Sequence, residues 1–172
     1  SPCADTLPAL LALNAHVEAQ SARGARRIPA ENFLARPYVT ALAPDEMVAG
    51  VGFKPLPPEA GSAFVKLGRR DALSISRGTV AAVLERDNGV VRRAQVAAGS
   101  VAATPCRLRP VEAVLEGRTL TASILKEAGA VLVTEMIRLA GRRWSTPYKE
   151  RVMPALLRRA LQAAWEGAAA RA

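Results

Sequence analysis

Ser62-Ala63-Phe64-Val65-Lys66-Leu67-Gly68-Arg69-Arg70-Asp71-Ala72-Leu73-Ser74-Ile75-Ser76 is the stretch on which the reading of this 172-residue chain turns. Apolar Ala63, Phe64, Val65 and Leu67 flank one lysine, and a polar knot of Gly68, Arg69, Arg70 and Asp71 follows. A lysine inside an extended apolar run must send its ammonium to water or to a partner. Upstream lies Lys54 to Gly61, KPLPPEAG, whose prolines fix φ and remove donors, so regular structure stops there. Downstream, Ser62 to Leu67 predicts a strand and Gly78 to Glu85 a second. Arg86-Asp87-Asn88-Gly89 predicts a hairpin turn, and Val90 to Val101 its returning strand. On that strand Val90, Ala94, Val96 and Ala98 are assigned to one face and Val91, Arg93 and Gln95 to the other, one buried and one wet or covered by a partner.

Helical signals come next. Arg109-Pro110 opens a helix and Gly117 ends it. Thr121 or Ser123 caps the next, in which Ile124, Ala128, Val131 and Leu132 recur at helical spacing. Ser145-Thr146-Pro147 opens a last helix running to about Trp165. In it Tyr148, Val152, Leu156 and Ala160 join Met153, Leu157, Leu161 and Trp165 in one apolar stripe. Pro154 stands inside that stripe. An interior proline costs about 3 kcal/mol, so a kink or break is expected near Glu150 to Pro154. Strands followed by helices predict an α+β domain, a small antiparallel sheet with helices packed on one face.

Ahead of the joint, Ser1 or Asp5 is a candidate cap for a short helix presenting Leu7, Leu10, Leu11 and Leu13. His16 to Gln20 and Arg26 to Pro29 read as a hairpin turning at Ser21 to Gly24. A short helix over about Ala30 to Leu34 and an extended run Met47 to Val51 follow. These elements carry too few large side chains to close a core alone.

Composition excludes several classes. Half the residues are apolar, which argues for a globular chain. The apolar run Ala128 to Val133 is too short to span a bilayer. Cys3 and Cys106 form no C-x-x-C pair and His16 is the sole histidine, so the chain offers no metal site of its own. A reducing, cytoplasmic setting is expected. A net charge of +9 invites a nucleic-acid reading, yet the basic residues fall in scattered pairs without interleaved aromatic residues. A basic interaction or nucleic-acid-binding module without catalysis remains the alternative on charge alone.

The pattern F-x-K-x-x-x-R-x-x-x-x-I-S, carried by Phe64, Lys66, Arg70, Ile75 and Ser76, resembles the flavoprotein subunit of molybdenum hydroxylases, the family of xanthine and carbon monoxide dehydrogenases. Further motifs in the same order resemble it too: SP-x-x-D from Ser1, P-x-L-L-A-L from Pro8, R-x-I-P-A-E-N-F from Arg26 and L-x-P-D-E from Leu42. So do G-x-V-A-x-x-P-x-R from Gly99 and the S-T-P-Y-K ending from Ser145. The resemblance implies that residues 1–54 are the end of an FAD-binding domain, 55–61 a linker, 62–166 the flavoprotein C-terminal domain and 167–172 a tail. The glycine-rich flavin motifs of the family are missing from the chain, so it is expected to be part of a longer subunit.

What the resemblance implies for function is an oxidoreductase subunit that passes electrons from iron-sulfur clusters through FAD to an external acceptor. The molybdenum cofactor and 2Fe-2S clusters would sit on partner subunits, one binding iron-sulfur and one molybdenum. Three FAD-contacting positions carry over: Asp5, Val48 and Lys66. Each has a plainer reading, as a helix cap, a core valine and a strand lysine reaching water. Arg70 and Asp71 read as a structural ion pair, and Ser76 as a serine bonded to backbone, with no histidine near to activate it.

Overall fold

A computed structural model of the chain describes residues 1–70 and 73–170. The C-terminal part is a four-stranded antiparallel sheet of β6 (Ala60–Leu67), β7 (Gly78–Asp87), β8 (Val90–Gly99) and β9 (Cys106–Arg107), in that spatial order. The hairpin turn forms where Asn88 and Gly89 supply positive φ, at 46° and 80°. Helices α3 (Arg109–Leu115), α4 (Ala122–Ala140) and α5 (Thr146–Ala169) cover one face, with α5 lying across β6 and β7 and α3 against β8. Thr121 caps α4 by accepting the Ile124 N–H at 3.3 Å. The core between sheet and helices is built from Val80, Leu84, Val96, Leu108, Val111, Leu115, Leu132, Met153, Leu157 and Leu161, all sealed from solvent.

Two expectations are corrected here. Helix α5 is continuous from Thr146 through Pro154 to Ala169, so of the kink or break expected near Glu150 to Pro154 the break does not occur. Pro154 lies against Gly129 of α4, and packing of the buried stripe offsets the local cost. Tyr148 is not part of that stripe but is about half exposed, while Ser145 occupies the N-cap position without a side-chain bond. The second correction concerns β8. Val91 joins Ala94, Val96 and Ala98 in the helix-side core. Glu85 pairs with Arg93 and Arg86 with Val91, so Arg92 is an extra residue that reverses the alternation at its own position.

The sheet's other face is covered by this chain itself. Helix α1 (Thr6–Ala12) packs on β7 and β8, and Leu11, Ala12, Ala15 and Ala30 meet Ala60, Ala81, Val83 and Ala97 in a second, small-residue core. The fit is close: a Cβ on Gly99 would lie 2.9 Å from Pro8 Cγ. Beyond α1, β1 (His16–Ser21) is flanked by β2 (Gly24–Pro29) and β5 (Met47–Gly52) in a three-stranded sheet. Between them lie α2 (Ala30–Phe33) and the small β3 (Leu34–Arg36) and β4 (Val39–Thr40) hairpin, which the sequence reading did not contain. Pro44-Asp45-Glu46 anchors the β1–β2 hairpin: Arg23 pairs with Asp45, and Arg26 with Glu46 at 2.6 Å. Arg26, helped by the Ala43 N–H, pulls the Glu46 carboxyl down to about 2.

Arg107 ties the two parts together. Its Nε meets Glu112 Oε1 of α3 at 2.6 Å, and its Nη1 donates to the Leu11 carbonyl and Asn14 Oδ1 at the end of α1. Both charged side chains are buried, and Glu112 also accepts the Val96 N–H at 2.8 Å.

Candidate functional site

Alternation along β6 sends Ala63, Val65 and Leu67 to the helix-side core and leaves Phe64 and Lys66 on the opposite face, toward α1. Asp5 stands at the start of α1 in helical backbone geometry (φ −66°, ψ −27°) and makes no capping bond, contrary to the cap reading. Its carboxylate turns to the sheet instead. Lys66 Nζ lies 2.6 Å from Asp5 Oδ2, and the Ser76 hydroxyl donates to Asp5 Oδ1. Ser76 is therefore not a backbone-bonding serine, and Lys66 does not run out to open water.

The Lys66 ammonium, then the Ser76 hydroxyl, hold the Asp5 carboxyl below the ordinary carboxylate range. About a third of each side chain of the Lys66–Asp5 pair stays accessible, so the ammonium keeps donors for a third group. Ser76 is buried and placed by its neighbours: the Arg77 N–H donates to the Leu67 carbonyl at 2.7 Å, closing the loop at its base. The Ser76 carbonyl accepts the Ser100 hydroxyl at 3.1 Å, and the Ser100 carbonyl accepts Lys149 Nζ from α5. An unbroken chain of hydrogen bonds thus runs from α5 through the end of β8 to α1 and β6. Burial, with Arg143 next, lowers the Lys149 pKa.

This arrangement makes a testable electrostatic statement. A carboxyl held low in the fold contributes stability above its unfolded pKa of about 3.9, and loses it as pH falls through the folded value. Followed by carboxyl NMR against pH, Asp5 is expected to titrate lowest in the native protein, higher in Ser76→Ala and highest in Lys66→Met. An unchanged midpoint in Lys66→Met would show that the ion pair does not set this group.

Val48 stands apart from the pair. It lies on β5, an edge strand of the other sheet, pairs with Ala19 of β1 and is 43% exposed, so the core-valine reading is also wrong. Met47, Val51 and Phe53 are exposed beside it in sequence. The Arg70–Asp71 pair falls partly on Asp71, outside the described residues. Arg70 donates to the Leu73 carbonyl at 2.6 Å. No group of three or more potential metal ligands occurs among the described residues, nor any helix long and apolar enough to cross a membrane. Cys3 and Cys106 are free thiols, and burial pushes Cys106 up to about 11. Sequence reasoning missed the serine's role because Ser76 and Asp5 lie 71 positions apart, and no local pattern reports such a meeting.

Comparisons with known proteins agree with this architecture. Residues 62–164 match the CO dehydrogenase flavoprotein C-terminal domain, and residues 1–55 match the FAD binding domain in molybdopterin dehydrogenase. The chain is 32% identical to the nicotine 6-hydroxylase medium subunit of Paenarthrobacter nicotinovorans, over 88% of this chain and 53% of that protein. It is 34% identical to the xanthine dehydrogenase FAD-binding subunit of Escherichia coli O157:H7, over 72% and 42%. Among solved structures it superimposes with a TM-score of 0.87 on a carbon monoxide dehydrogenase from Hydrogenophaga pseudoflava that lacks the Mo-pyranopterin moiety. Identity there is 25%, covering 96% of this chain and 57% of that one. The chain spans about half the length of the curated relatives it matches. On the match over residues 62–164, with the fold beneath it, the chain belongs to the CO dehydrogenase flavoprotein C-terminal domain family of molybdenum hydroxylase flavoprotein subunits.

Proposed function

We propose that this chain is part of the FAD-binding subunit of a molybdopterin-dependent hydroxylase or dehydrogenase, and that it supplies one wall of the flavin site. The complete subunit would take electrons from iron-sulfur clusters on one partner, fed by a molybdenum subunit, and deliver them to an external acceptor. The single observation that carries the reading is the Lys66–Asp5 ion pair at 2.6 Å, with Ser76 on the second carboxylate oxygen. It joins a residue of the FAD-domain match to one of the C-terminal-domain match, and both were singled out as flavin contacts on resemblance.

The residues present fit such a cofactor. Lys66 is anchored at one end of its reach by Asp5 and remains partly accessible, which suits a cation that must stay put while stabilising negative charge on a neighbour. FAD, when bound, supplies the redox chemistry, and the protein's part is positioning and electrostatics. Lys66 would present its ammonium, Asp5 and Ser76 would hold it, and Val48, on its separate strand, would offer apolar contact elsewhere on the cofactor. The basic-module alternative has less to stand on, because many of the arginines that suggested it are committed to carboxylates. Arg23, Arg26, Arg92, Arg107, Arg109, Arg118, Arg138 and Arg142 all form ion pairs within the chain.

The test uses the subunit extended with its upstream residues. That protein is expected to purify yellow. Lys66→Ala is expected to weaken FAD retention by about tenfold or more, the worth of one charge-assisted hydrogen bond, and to lower the flavin potential. A colourless extended subunit, or a Lys66→Ala protein with unchanged FAD affinity and potential, would overturn the assignment.

A further inference from the structure

Next to Ser76 an open cleft of about 680 Å³ is lined by Arg69, Arg70, Arg77 and Lys149 and by Leu73, Ile75 and Trp144. Two properties set it apart. Its large apolar side chains stand in water, with Leu73 94%, Trp144 84% and Ile75 78% exposed. Its described lining also contains four cationic residues and no acidic one. Arg69 and Arg77 form no ion pair among the described residues, as is also true of Arg93, Arg151 and Arg158 elsewhere, but here they stand beside exposed apolar groups.

We infer that this cleft is a docking surface for an acidic protein segment that brings apolar side chains of its own. Three exposed apolar groups clustered at one site are costly on a free surface, and tryptophan with arginine is the pairing that most often carries interface energy. Arg69 and Arg77 supply charge complementarity, which steers encounter and rejects basic partners. Nucleic acid fits less well, because Leu73 and Ile75 offer no planar face to a base and Trp144 is the single aromatic group in the lining. The surface also adjoins the flavin-facing pair. Ser76 lines the cleft and bonds Asp5, and Lys149 lines it and bonds the Ser100 carbonyl. A partner seated there would lie one residue from the wall assigned above, so the inference rests on the proposed function in naming that partner as a subunit of the same complex.

The experiment measures affinity of the extended, flavin-loaded subunit for the purified iron-sulfur and molybdenum partner subunits, by analytical ultracentrifugation between about 50 and about 500 mM salt. Arg69→Glu/Arg77→Glu and, separately, Trp144→Ser are expected to weaken association by about tenfold or more, the charge variant losing its salt dependence. Arg151→Glu/Arg158→Glu, on the outer side of α5, is the control and should associate as the native protein does. Unchanged association in both cleft variants, or equal loss in the control, overturns the docking surface. So does retention of duplex DNA or self-association at this cleft in place of partner binding. Flavin absorbance is read on the same samples, so a colourless subunit sinks the functional assignment while a yellow one that ignores the cleft variants sinks only the docking surface.

Discussion

Arg107→Met is expected to cost about 3–5 kcal/mol of stability, the usual penalty for removing one partner of a buried ion pair. For a chain of this size that is a fall in Tm of roughly 6–20 °C. The guanidinium occupies a sealed position between α1 and α3, with Glu112 at 2.6 Å and the α1 carbonyl of Leu11 at 3.3 Å. Methionine fills similar volume but leaves the Glu112 carboxylate buried, with Arg109 at 3.5 Å the one cation left paired with it among the described residues. It also loosens the C-terminal end of α1, which is otherwise held to the sheet by the Asp5–Lys66 pair at its start and by a core made mostly of small residues. The double variant Arg107→Met/Glu112→Gln separates these effects. Glutamine keeps an acceptor for the Val96 N–H while removing the stranded charge, so the double variant should recover at least about half of the loss. A double variant no more stable than the single one would mean that the tie to α1, rather than the buried charge, dominates. A single variant within about 0.5 kcal/mol of native would refute the rivet altogether.

Arg107 also shows how far the sequence could be read. Its motif, G-x-V-A-x-x-P-x-R, marks the segment as distinctive, but the reasons are three-dimensional. Gly99 lets Pro8 of α1 approach the sheet, and Arg107 reaches α1 again across the β9 pairing with Ala97. Local physics was legible where it decided the outcome: the β6 strand after the proline joint, the Asn88-Gly89 turn, Pro110 at the first turn of α3 and the Thr121 cap. It failed where distant parts of the chain overruled it. The extra residue at Arg92 reversed the face of Val91, and burial along α5 carried the helix through Pro154. The candidate site divides the same way. Lys66 drew notice because a lysine in a greasy strand needs a reason. Its reason, Asp5, lies 61 positions earlier, and Ser76 completes the cluster from a third element. Charge on single residues is written in sequence; which charges meet is decided by packing.

Gly61→Ala is expected to be more disruptive than its one added methyl suggests. At Gly61 the edge strand β6 meets the last turns of α5 with no side chain between them. A Cβ built there would lie 1.9 Å from the Ala164 carbonyl oxygen and 2.3 Å from the Ala168 nitrogen, both backbone atoms. No rotamer change can relieve such an overlap, so β6 and α5 must separate, opening contacts around Leu161, Ala164 and Ala168, all fully buried. Overpacking a sound core typically costs about 1–3 kcal/mol and more when backbone must move, so a loss of about 3 kcal/mol or more is expected. Ser62→Ala, next along the same strand but exposed, should stay within about 0.5 kcal/mol. Urea denaturation of the two variants beside the native chain makes the comparison. Native-like stability in Gly61→Ala would mean that α5 is free to shift on the sheet. In that event Lys149 could not be relied on to hold Ser100, and the hydrogen-bond chain leading to Asp5 would lose its fixed end.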